Sequence, residues 1–198
     1  MIRQFALPVW VVIAAMGCGG AREAAPANSC RARDAAVGRD ASFDSRAGEY
    51  RLILVATSGD SADREVAGTL WLEPNDAAAR QFARPGGDPD PTVSVPLYGW
   101  TDVSVRGVGA REIGDLGSRE PTSPGVLVLE QRRQPSEPAE ITLRIGSLAN
   151  RRDAPRFDGA YMALRVRWLD DSGGFGGSWA SGVQGVESEG HFCAAPVQ

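Results

Sequence analysis

The sequence predicts an all-β domain, an antiparallel sheet closed as a roughly eight-stranded up-and-down barrel. A β-sandwich is the alternative arrangement. Three observations carry that expectation: runs of period-two alternation, turn signals between them at regular intervals, and only one stretch with a helical pattern. In "EITLRIGS", Ile141, Leu143 and Ile145 share one face, with Thr142 and Arg144 on the other. In "AYMALRVRWLD", Met162, Leu164, Val166 and Trp168 line up opposite Tyr161, Arg165 and Arg167. Such alternation belongs to a sheet with one wet side.

Eight strands follow in order: Glu49–Thr57, Val66–Leu72, Ser94–Val105, Gly125–Gln131, Ala139–Leu148, Ala160–Asp170, Gly176–Val183 and Gly190–Ala194. Turn clusters such as "SGDSAD", "SREPTSPG" and "DDSGGFGG" separate them. The helical stretch is "PNDAAARQFARPGG". Asn75 or Asp76 caps it and Pro85-Gly86-Gly87 stops it, which predicts one short helix near 76–84. No fixed-length repeat is visible, so a propeller or solenoid is not expected. Eight strands close at a size where side chains fill the interior or enclose one small ligand, and closure sets the first strand beside the last.

The 198 residues suit one domain with a proper core. The formal charge is −4, and −5 once the N-terminal segment carrying Arg3 is removed, so nucleic acid is not an expected partner. All 21 basic residues are arginine. A GC-rich coding sequence explains that bias, and neither the arginines nor the 24 glycines constitute an RNA-binding signature.

Residues 1–17 read as a signal peptide: one charge in Met1–Gln4, then an apolar run from Phe5 to Met16. That run is shorter than the roughly 20 residues of a membrane-spanning helix, and Pro8 interrupts it. The block Ala15-Met16-Gly17-Cys18 suits ordinary signal peptidase, which would leave Cys18 as a free thiol. The same four residues resemble the lipobox of bacterial lipoproteins, with Ala15 where leucine is usual. The resemblance implies a diacylglycerol thioether on Cys18. It also implies outer-membrane residence, because Gly19 stands where an inner-membrane-retained lipoprotein commonly has aspartate. An exported chain with three cysteines has an odd one to explain. With Cys18 lipidated, Cys30 and Cys193 remain as a disulfide pair; three unrelated thiols are the alternative. Residues 18–47 are then a lipid-anchored tether and N-terminal extension, flexible over Gly19–Ser29, and 48–198 the barrel domain.

Gly48-Glu49-Tyr50 opening the first strand and "GGSWASG" at Gly176–Gly182 resemble lipocalin-like and avidin-like barrels. The lipocalin Gly-x-Trp is here Gly-x-Tyr. That resemblance implies a cup for a small apolar ligand or lipid.

Gly59-Asp60-Ser61 after a strand resembles the nucleophile block of GDSL-type hydrolases. Those enzymes also need a late Asp-x-x-His to take the serine proton, yet the position three before His191, the only histidine, is Ser188. "RGVGAREIGDLG" begins as a dinucleotide fingerprint but has Glu112 at the third glycine position, where a carboxylate repels pyrophosphate. Asp88 and Asp90 in "GGDPDP" lack further calcium ligands, and one histidine leaves too few donors for zinc. Asp170-Asp171 reads as a solvated strand end. Arg151, Arg152 and Arg156 with Asp153 and Asp158 read as a self-paired loop. Trp71, Trp100, Trp168 and Trp179 fall on strands, where core packing is the first explanation and a ligand-lining role the second.

No catalytic residues, metal site or cofactor are therefore expected. The leading expectation is a non-catalytic interaction or structural module of the cell envelope, held on the membrane by lipid and contacting other envelope proteins. A binder of a small apolar ligand or lipid is the alternative, and a hydrolase stands third.

Overall fold

The computed structural model describes residues 30–31, 37–38, 41–76, 81–83, 89–111, 125–134, 136–146, 160–183 and 186–197. Among these residues, ten strands form one sheet: β1 Gly48–Ala56, β2 Glu65–Pro74, β3 Gln81–Ala83, β4 Pro89–Ser94, β5 Leu97–Thr101, β6 Gly125–Gln131, β7 Glu140–Gly146, β8 Ala160–Leu169, β9 Phe175–Val183 and β10 Val186–Pro196. Eight of them close an antiparallel up-and-down barrel in the order β1, β2, β5, β6, β7, β8, β9, β10 and back to β1. The β6–β7 ladder, Gly125↔Gly146 to Gln131↔Glu140, completes the ring and sets the sandwich aside. Chain neighbours are ring neighbours almost throughout, as short hairpin connections dictate.

The exception lies between β2 and β5. There β3 pairs with β4, and β4 meets β6 through Val93↔Gln131 and Ser94↔Glu130. Val95 and Pro96 separate β4 from β5, so the strand expected over Ser94–Val105 is corrected to Leu97–Thr101, with Ser94 ending β4 and Val105 opening a 3-10 turn. The helix expected near 76–84 is corrected at its described end: Gln81–Ala83 is strand, pairing Gln81↔Ser94 and Ala83↔Pro89. Two turns of alanine-rich helix are marginal alone, and a sheet edge offers the same backbone groups immediate partners. Residues 77–80 lie outside the described set. The only helical turns among the described residues are 3-10, at Gly59–Ser61 and Val105–Val108.

Alternation delivers the core as expected on most strands. Leu52, Leu54, Leu143, Ile145, Met162 and Leu164 are fully buried inside the ring, and Trp179 is buried with them, reaching from β9 over β10 to β1. The Trp179 indole donates to the Val55 carbonyl at 3.1 Å. It passes over Gly190, where an added Cβ would stand 1.9 Å from that same carbonyl oxygen. A glycine is therefore required at this crossing.

Strand β8 departs from its own pattern. A register shift between Val166 and Trp168 leaves Val166 opposite Gly177 but Trp168 opposite Gly176. Arg167 is the extra residue of a bulge, and Trp168 turns to the outer face. Its ring lies over Gly176, where a Cβ would come within 2.5 Å of it. Trp168 is thus buried, as expected, but outside the barrel core.

Cys30 and Cys193 form a disulfide across 163 positions of sequence, with Cα atoms 5.4 Å apart. Cys193 points outward from β10 opposite Ile53, so the bond fixes the N-terminal arm to the outer wall. Loop-closure entropy assigns such a bond about 5 kcal/mol at most. Replacing Cys30 and Cys193 together by serine is expected to lower the denaturant midpoint while leaving the far-ultraviolet dichroism of the barrel intact. Urea unfolding followed by tryptophan fluorescence measures that shift.

Candidate functional site

An eight-stranded barrel becomes a ligand cup only if one end is open. Here each end is filled by the chain itself. At the end where β1 begins, Phe43 enters from the turn before the strand and is fully buried. Its ring meets Phe175 edge-on at 4.9 Å, and Phe175 also meets Tyr50 at 5.1 Å and Phe192 at 6.3 Å. A polar latch holds the turn in place. The buried Glu130 carboxylate accepts the Phe43 N–H at 3.3 Å and pairs with Arg132 at 3.0 Å, while Arg132 donates to the Ala41 carbonyl at 2.9 Å. Arg46 donates both terminal nitrogens to the Asp170 carbonyl at 3.2 Å, and the Tyr50 hydroxyl donates to the Arg46 carbonyl at 2.9 Å. Burial pushes the Tyr50 phenol above its ordinary range, partly offset by the Arg46 charge.

The opposite end is closed by the segment after β5. Val103, Val105, Val108 and Ala110 are buried in the core, and the left-handed Gly109 ends the 3-10 turn. Ser181 fastens this plug: its hydroxyl accepts the Arg111 N–H at 2.6 Å and donates to the Arg111 carbonyl at 3.0 Å. Ser188 donates to the Gly109 carbonyl at 3.1 Å. Gly107 and Gly109, met in the sequence as the start of a nucleotide fingerprint, are parts of this closure.

The structure does not join Ser61 to His191. Ser61 sits in the β1–β2 turn against Gly109, where an added Cβ would lie 2.8 Å from its oxygen. His191 lies on β10, with Nε2 3.2 Å from the Cys30 carbonyl oxygen. Asp90 accepts the Thr92 N–H and hydroxyl at 2.9 and 2.6 Å, which accounts for it as a turn. Asp170 accepts the Ser172 hydroxyl and the Gly174 N–H, each at 2.7 Å, bracing the β8–β9 hairpin. Among the described residues, no three His, Cys, Asp or Glu side chains gather as metal ligands. Cys18, Asp88, Glu112 and the 151–158 arginine cluster lie outside the described residues.

The outer wall carries two distinct surfaces. On β2 and β5, Trp71 and Trp100 are register partners whose indoles stack at 5.8 Å and 21°. Trp100 is 37% exposed, unusual for a residue of its size. Glu49 stands opposite Trp71 from β1, and Glu73 on β2 accepts the Tyr98 hydroxyl at 2.9 Å. That bond, with the nearby negative charge, raises the Tyr98 phenol. Core packing, the first expectation for the four tryptophans, is therefore corrected for Trp71 and Trp100, which face outward and do not line the axis.

The second surface is at the β7–β8 seam. Those strands pair only through Thr142–Arg144 and Ala163–Arg165 before the β8 bulge bends the chain away. An open groove of about 520 Å³ occupies the splay, lined among others by Val37, Arg133, Glu140, Arg165 and Arg167. Arg133 lies 3.6 Å from Glu140, both solvent-exposed. Arg165 and Arg167 are exposed and have no ion-pair partner among the described residues. Alternation marked these two as outward-facing; the bulge that sets the groove left no sequence signal.

No protein-family description matches the chain, and no curated protein or solved structure is significantly similar to it.

Removing the Phe43 ring leaves a hole under Phe175, so Phe43→Ala is expected to cost about 3–5 kcal/mol in chemical denaturation. A loss below about 1 kcal/mol would show that the end refills from elsewhere. The raised Tyr50 phenol makes a pH prediction as well. A folded-state value above the unfolded one gives stability that is complete below about pH 10 and lost as pH climbs through the folded value. Melting temperature is therefore expected to fall at strongly alkaline pH, and Tyr50→Phe to flatten that fall.

Proposed function

We propose that this chain is an exported lipoprotein, anchored in the bacterial outer membrane through Cys18, whose barrel acts as a non-catalytic interaction module of the envelope. One observation carries the choice of a wall-based role over a cup-based one. Phe43 and the Val105–Ala110 segment fill the two ends, and Trp179, Phe175, Leu52, Leu54, Leu143 and Leu164 are packed in the interior between them. A small apolar ligand entering such a barrel would have to displace packed side chains, each of which contributes to stability. The outer surfaces, by contrast, offer an exposed aromatic pair and uncommitted guanidinium groups without any rearrangement.

The disulfide supports an oxidising compartment, where such bonds persist. The lipid anchor rests on the sequence around Cys18. Hydrolysis is disfavoured because Ser61 and His191 face different partners, leaving the hydroxyl without its base.

Intact-mass measurement of the chain isolated from its own membranes is expected to give a diacylglycerol adduct on Cys18. The Cys18→Ser chain is expected in the soluble fraction. Retention of that variant in the membrane overturns the anchor.

A further inference from the structure

We infer that the partner of these walls is a second copy of this chain, docking the arginines of β8 onto the tryptophan pair of β2 and β5. The inference deepens the interaction-module reading and rests on it for the membrane geometry alone.

The ring order decides where the two surfaces lie. In a closed ring of eight, β2 and β8 are four places apart and so occupy opposite walls. On one wall are Trp71 and Trp100, bracketed by the carboxylates of Glu49 and Glu73. On the other are Arg165 and Arg167, exposed and without ion-pair partners among the described residues. The chemistry of the two is complementary. A planar guanidinium stacks on an indole face, where the ring quadrupole attracts it, and donates its N–H groups to flanking carboxylates. Glu73 spends Oε2 on Tyr98 and keeps Oε1 for such a contact. Glu49 has no side-chain partner among the described residues.

A contact between opposite, unlike walls is heterologous, and its repetition gives a row rather than a closed dimer. The position of the disulfide is compatible with such a row in the membrane plane. Cys193, bonded to Cys30, lies on β10, two ring places from β2 and two from β8. With the β10 side toward the bilayer, the aromatic wall and the arginine wall point sideways in opposite directions. Neighbouring copies then meet in the membrane plane, where confinement raises their effective concentration and a contact that is weak in solution suffices.

Sedimentation velocity on the full chain carrying Cys18→Ser tests the contact apart from the anchor. The sedimentation coefficient is expected to rise with concentration. Arg165→Glu with Arg167→Glu leaves two acidic walls, and Glu49→Arg with Glu73→Arg leaves two basic ones. Each double variant alone is expected to need at least about tenfold more protein to associate, a loss of about 1.4 kcal/mol. Mixing the two restores association, since acidic now meets basic at both walls. Trp100→Leu, apolar but without the π face, weakens association as well. A chain that stays monomeric throughout overturns the inference, as do double variants that associate like the parent or fail to rescue each other. Unchanged association of Trp100→Leu overturns the docking of arginine on the indole pair. A parent chain found soluble in cells would refute the anchor and leave self-association standing.

Discussion

The ring of Phe175 is the contact on which the barrel depends most. It receives Phe43 from before β1, Tyr50 from β1 and Phe192 from β10, each edge-on within 6.3 Å. Edge-to-face packing of this kind adds roughly 0.5–1.5 kcal/mol per pair to the burial of the rings themselves. More important is its position, at the join where the last strand meets the first. The same cluster that closes the sheet into a ring also stoppers one end of it. A single set of side chains thus ties the first strands to the last and fills that end of the barrel.

Around that filled centre the wall is shaped by places where regular pairing fails. The β8 bulge inserts Arg167, turns Trp168 outward over Gly176 and opens the seam to β7. Glycines at 99, 177 and 190 let large side chains and neighbouring backbone come closer than any Cβ would permit. The cost of such close crossings is a wall intolerant of substitution on its inner side. The gain is a set of outward side chains held on rigid strands rather than on loops, as a binding surface needs.

Much of the barrel was legible because period-two alternation is a direct consequence of strand geometry. Ile141, Leu143 and Ile145 had only one way to face, and the eight ring strands follow from runs of that kind. Trp168 shows the limit. Its spacing from Met162 is right for the core, but one extra residue in the ladder reverses every later side chain. Gln81–Ala83 shows another, since three residues of edge pairing outweigh a weak helical preference only once β4 is in place. Phe43 sits in "ASFDSR", too short for any periodicity, and its burial depends on Phe175, 132 positions away in the chain. The Cys30–Cys193 bond was reachable by counting cysteines, whereas the pairing of Trp71 with Trp100 required the register of β2 on β5. Long-range register is what a local pattern does not encode.

The disulfide also sets a leash. From Cys18 to Cys30 is twelve steps of chain, at most about 40 Å when fully drawn out. Without the bond, the first fully buried side chain among the described residues would be Phe43, and the stretch from Cys18 to it would reach about 85 Å. With Cys18 in the bilayer as proposed, doubling the reach enlarges the volume swept by the barrel about eightfold and dilutes it accordingly near the membrane. Given that anchor, Cys193, on an outward position of β10, would set the upper limit on how high above the bilayer surface the domain rides.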